Sequence, residues 1–186
     1  MAFGIKGIVV HCSASVFGDA DEINSWHVER GWSEIGYHKV VCTGWRKPES
    51  RGGSYDFRFD GHVQQGRADD KMGAQCSAGK MNEVSLGVCL IGMPNERPEG
   101  VDCVEPGPGS IVKRAYVTAM QAKVLIDVLA RMCRRHNLDP RVQFDHAGRR
   151  PWVVSQHSDH DRGKPFCASL DMKVVRAKTM ERFLEL

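Results

Sequence analysis

The segment His157-Ser-Asp-His160-Asp-Arg-Gly-Lys164-Pro-Phe-Cys167 gathers two imidazoles, an ammonium and a thiol. A further imidazole, His11, closes the run Ile-Val-Val-His near the other end of the chain. Zinc takes histidine nitrogen and cysteine sulfur in tetrahedral sites, and a catalytic zinc keeps its fourth position for water. Two histidines and one cysteine therefore make a three-donor set with a vacancy, which is the pattern of an enzyme rather than of a structural staple. Each donor alone has an ordinary reading: a strand-terminal histidine is more often structural, and a lone cysteine is more often a buried thiol. His157 and His160, three residues apart, compete for one role.

Such donors need rigid carriers. Ile5–His11 has the β-branched pattern of a first strand, and a strand end presents a side chain firmly. Asp21–Arg30 reads as an amphipathic helix, with Ser15 or Asp19 as cap and Gly31 as stop. Ile35–Val41 reads as a second strand, Thr43–Ser54 as an excursion, and Tyr55–Phe59 with His62–Gln65 as short paired strands. Val84–Ile91 is near-continuously apolar and is the best candidate for a central strand covered on both faces. The proline-rich stretch Pro94–Gly109 is expected as loop. Val117–His136 is the longest predicted helix, with Met120, Val124, Leu125, Val128, Leu129 and Met132 as its apolar stripe. Val153-Val154 forms a last short strand and Asp171–Leu186 a closing helix. Strands alternating with helices predict an α/β fold: a single domain over residues 1–186 with a central mixed β-sheet flanked by helices.

Bulk properties narrow the function classes. A net charge of +3 over 186 residues is too weak to argue nucleic-acid binding. Seven cysteines without short regular spacing do not read as a secreted disulfide framework. They fit a reducing cytoplasm, with Cys89 the clearest small core residue. The N-terminus lacks the pattern of a signal peptide, and no apolar stretch is long enough to span a bilayer.

Five ordered blocks carry a resemblance: IVVHCSAS, INSWHVERGWSEIGYHKVV, GRADDK, NEVSLGVCLIG and HSDHDRGKPFCASLDM. In this combination and order the chain resembles the type-2 N-acetylmuramoyl-L-alanine amidases, in particular the short phage amidase-type lysozymes, relatives of peptidoglycan recognition proteins. The resemblance implies a Zn2+ site on His11, His157 and Cys167, an active-site tyrosine at Tyr37 and an active-site lysine at Lys164. Lys164 stands three residues before the cysteine, where two is the commoner spacing. His160 is expected to support the site or lie at the surface, and Asp159 to brace a zinc-bound imidazole. Asn82 and the Arg67–Lys71 block are weighed as substrate contacts against ordinary loop roles. If Tyr37 lies in a strand and faces the cleft, His38 must face away.

The resemblance further implies hydrolysis of the amide between N-acetylmuramic acid and L-alanine in peptidoglycan, by a phage endolysin made in the host cytoplasm and acting on the wall after release. Zinc and Lys164 would stabilise the oxyanion, while Tyr37 would orient water, move a proton or donate to the oxyanion. A zinc peptidase acting on the peptide stem is the alternative enzyme. Some members also bind a phage RNA polymerase, a second implied partner that leaves no readable mark here. The protein is expected as a monomer.

Overall fold

The computed structural model describes residues 4–92, 101–114 and 116–186. Five strands, β1 (Gly7–Cys12), β2 (Lys39–Val41), β3 (Val63–Gln65), β4 (Ser85–Leu90) and β5 (Val154–Gln156), form one sheet. Their spatial order is β3-β2-β4-β1-β5. β1 lies parallel to β4 and β5, and β2 parallel to β4; only β3 runs antiparallel, on the outer edge of β2. The mixed sheet expected from the sequence is thus present. β4 is buried along its whole length, as its apolar run requires.

Among the described residues, helices α2 (Ala119–Arg135) and α3 (Met172–Glu185) cover one face of the sheet, while α1 (Ala20–Glu29) lies on the other. Ile8, Val10, Leu86, Val88 and Leu90 meet Leu125, Val128, Leu129, Met132 and Val175 in the larger core. Of the predicted α2 stripe, Met120 is the member left substantially exposed. A reciprocal capping box between Thr118 and Gln121 starts α2. The buried Gln121 amide also donates to the carbonyls of Val41 and Ile91, at 3.2 and 2.8 Å, tying the helix to the ends of β2 and β4. On the opposite face, Ile23 of α1 packs with Val40, Cys89 and Ile91. Asp19, not Ser15, caps α1, accepting from the Glu22 N–H at 3.0 Å.

Two sequence expectations need correction. The strand predicted from Ile35 is confined to Lys39–Val41, because side chains claim the preceding backbone. Asn24 accepts from the Ile35 N–H, His27 from the Gly36 N–H, and buried Arg67 donates to the carbonyls of Ile35, Glu34 and Met72. Tyr55–Phe59 is a turn, with Tyr55 bridged to Trp45 and its hydroxyl donating to Asp60 at 2.8 Å, so His62–Gln65 loses its predicted partner. Its core, β3, pairs with β2 instead. Thr43–Ser54 is irregular apart from the Trp45 bridge and a 3-10 turn at Glu49–Arg51. Residues 93–100 of the predicted Pro94–Gly109 loop lie outside the described residues, and the rest of it is irregular, with Cys103 bridged to Thr118.

Candidate metal centre

The candidate site lies beyond the carboxyl ends of the parallel strands, where α/β sheets open their crevices. In-register pairing puts Val9 beside Gly87 and His11 beside Cys89. His11 therefore shares the α1 face of the sheet with Val9, Ser85 and Gly87, and is fully buried. His157 follows directly on β5, the strand on the other side of β1. Cys167 ends the turn after it, with the Ser158 N–H donating to the Cys167 carbonyl at 2.7 Å. The parallel β1–β5 pairing brings the chain's two far-apart segments to one point.

His11, His157 and Cys167 each offer one donor atom, and these atoms lie within 4.8 Å of one another. The His11 and His157 ring centroids are 4.7 Å apart, and Cys167 Sγ is 3.8 Å from His11 Nδ1. Nitrogen and sulfur on one tetrahedral zinc would sit about 3.6 Å apart, from bond lengths of about 2.1 and 2.3 Å. The donor set therefore fits zinc in type and in spacing. Burial, with the neighbouring His157, pushes His11 down to about 3, so its ring is neutral and keeps a lone pair. Burial also lowers His157. The Cys12 thiol, together with burial, raises Cys167, while the Cys12 N–H points at Cys167 Sγ from 3.4 Å. A bound dication would reverse that shift, since a coordinating thiol is deprotonated outright.

Tyr37 packs its ring 5.0 Å from that of His11 and 5.4 Å from that of His27. Burial holds its phenol well above the ordinary range, so the hydroxyl is a donor. His38 does turn away, although Tyr37 and His38 precede the strand: its ring accepts from the Gly87 N–H at 2.9 Å and donates to the Lys71 carbonyl at 2.9 Å. Gly36 is needed beside Tyr37, because a Cβ there would stand 2.3 Å from the Ala74 carbonyl oxygen. Lys164 is exposed in the 161–167 turn, and its charge reaches His157.

Other expected roles change. Asp159 does not brace a donor histidine: its carboxylate accepts from the Gln156 N–H at 3.1 Å, and Asp161 is the carboxylate nearer His157, at 3.8 Å. His160 stands outside the three-donor group and bonds Ser155 Oγ at 2.8 Å. Asn82 accepts from the Gln75 and Cys76 N–H groups at 2.8 and 2.7 Å, and Arg67 is spent on backbone carbonyls. The side chain missed by sequence reasoning is Gln75, whose Oε1 meets His11 Nε2. A lone glutamine in a loop gives no pattern that could have flagged it.

Comparison with known proteins agrees with the layout. A family model described as N-acetylmuramoyl-L-alanine amidase matches residues 2–165. The endolysin of Escherichia phage T7 is 35% identical over 159 residues, covering 84% of this chain and 91% of that protein. The endolysin of Klebsiella phage KP32 is 30% identical over 169 residues, covering 89% and 82%. Among solved structures, the N-acetylmuramoyl-L-alanine amidase LysC from Clostridium intestinale URNW superposes with a TM-score of 0.63 at 19% identity, over 95% of this chain and 86% of that one. With a match across most of its length and full-length relatives of this kind, the chain belongs to the N-acetylmuramoyl-L-alanine amidase family.

Proposed function

We propose that the protein is a zinc-dependent peptidoglycan amidase of the endolysin kind, hydrolysing the amide between N-acetylmuramic acid and L-alanine in the cell wall. The observation that carries this reading is the convergence of the His11, His157 and Cys167 donor atoms within 4.8 Å at the end of the sheet, in a chain of the amidase family. Zinc bound by these three residues supplies Lewis acidity, activating water near neutral pH and polarising a carbonyl.

The chain's own groups do the rest. His11 and His157 are kept neutral by burial and offer lone pairs. Tyr37, whose ring packs against those of His11 and His27, would donate its phenolic O–H to the developing oxyanion. Lys164 brings a positive charge to the His157 side, where it adds to oxyanion stabilisation and can protonate the leaving amine through water. Lys164 is exposed, where a polymeric substrate can reach it.

Digestion of purified wall, with new L-alanine amino termini counted and fragments weighed by mass spectrometry, tests the reaction. Intact stems carrying free L-alanine are expected. Release of D-amino acids or internal stem peptides would instead make the protein a stem peptidase. His157→Ala and Cys167→Ser should each abolish stoichiometric zinc and reduce lysis to background. Full lysis by the zinc-free protein would sink the mechanism.

A further inference from the structure

We propose that Gln75 is a positioning residue that fixes His11 in the Nε2–H tautomer and so aims its Nδ1 lone pair at the metal; this inference rests on the zinc reading above. The hydrogen-bond chain assigns its own protons, starting from a group with no ambiguity. The Met81 carbonyl can only accept, so the Ser85 hydroxyl, 2.6 Å away, must donate its one proton to it. Ser85 Oγ is then left as an acceptor, and the Gln75 group 3.0 Å from it must be the amide NH2. Gln75 Oε1 therefore faces His11, and His11 Nε2 must carry the hydrogen that joins them. Nδ1 remains unprotonated, and it is the nitrogen that lies 3.8 Å from Cys167 Sγ.

The surroundings hold this chain in place. His11, Gln75 and Ser85 are all buried, so water does not compete for the bonds. Asn82 anchors the Gln75 backbone by accepting from two consecutive N–H groups. Gly87 explains itself in the same way. It interrupts the apolar run of β4 because a Cβ there would stand 2.8 Å from Gln75 Cγ. His11, Ser85 and Gly87 share one sheet face by register, and Gln75 lies across it. A metal-bound imidazole whose other nitrogen donates to a fixed oxygen is oriented and made more basic.

The test combines zinc affinity, by competition with a chromophoric chelator, with ring-nitrogen NMR of the metal-free protein. Gln75→Leu should weaken zinc by roughly 10–100-fold, and Gln75→Glu, which keeps an acceptor facing His11, should recover most of that loss. The wild-type His11 ring should show the Nε2–H tautomer, with Nδ1–H appearing in Gln75→Leu. A Gln75→Leu affinity within about twofold of wild type, alongside loss of zinc in His157→Ala, would overturn the proposal, as would an Nδ1–H tautomer in the wild type. Zinc binding unaffected by His157→Ala and Cys167→Ser would overturn the metal reading itself, while the tautomer still decides the relay. If Gln75→Leu does not fold, the wild-type spectrum and the affinity of Ser85→Ala, expected to fall in the same direction, carry the test.

Discussion

Tyr37 separates packing from chemistry within one side chain. Its ring touches two imidazoles, one of a candidate metal donor and one of the buried His27, whose Nδ1 accepts from the Gly36 N–H at 3.0 Å. Tyr37→Phe keeps both ring contacts and deletes only the hydroxyl. Loss of one oxyanion donor costs about 10²–10³ in kcat, so a fall of that size is expected in Tyr37→Phe with zinc content and melting temperature unchanged. Unaltered turnover would reduce Tyr37 to a packing residue. The donor residues were legible in the sequence because histidine and cysteine announce their chemistry by type. Their grouping was legible only through resemblance, since nothing in spacing alone joins His11 to Cys167. The bracing role expected of Asp159 fails because the 3-10 turn at His157–Asp159 directs its carboxylate back to Gln156, a detail that sequence distance does not encode. Gln75 was invisible for a related reason: its role exists only through the β1–β4 register.

At the scale of elements, long apolar runs declared themselves and short segments did not. β4 and α2 matched their predicted spans closely, because each buries a continuous face. The 35–38 part of the predicted Ile35–Val41 strand looked like strand from its residues, yet its backbone groups were taken by side chains of α1 and by Arg67. α1 thus does more than cover the sheet; through Asn24 and His27 it shapes the loop that presents Tyr37. Its N-cap should be correspondingly felt. Asp19 accepts from the Glu22 N–H with one oxygen and meets Arg46 at 3.3 Å with the other. Replacing such a cap by alanine costs about 1 kcal/mol, and the ion pair adds little because Arg46 is largely exposed. Urea unfolding should show Asp19→Ala lowered by about that amount with an unchanged m-value, and Asp19→Asn close to wild type. Equal losses in both variants would assign the effect to the ion pair instead.

For the molecule as a whole, the candidate site is also a clasp. His11 sits on β1, whereas His157 and Cys167 come from the 3-10 turn directly after β5 and the turn that leads towards α3. Holding these donors on one ion links the start of the fold to its end, and a ligand that binds only the folded state stabilises it by mass action. Zinc at a thousand times its dissociation constant contributes about 4.1 kcal/mol. In a chain of this size that corresponds to a rise in melting temperature on the order of 8–16 °C. Melts of the zinc-loaded protein should therefore fall by that order after exhaustive chelation and recover on adding zinc back. Cys167→Ser should melt near the metal-free wild type and lose most of the response. His160→Ala, outside the three-donor group and bonded to Ser155, should keep the full response even if its baseline stability drops. A His160→Ala protein that no longer responds to zinc would move that imidazole into the metal site and displace His157 from the role assigned to it.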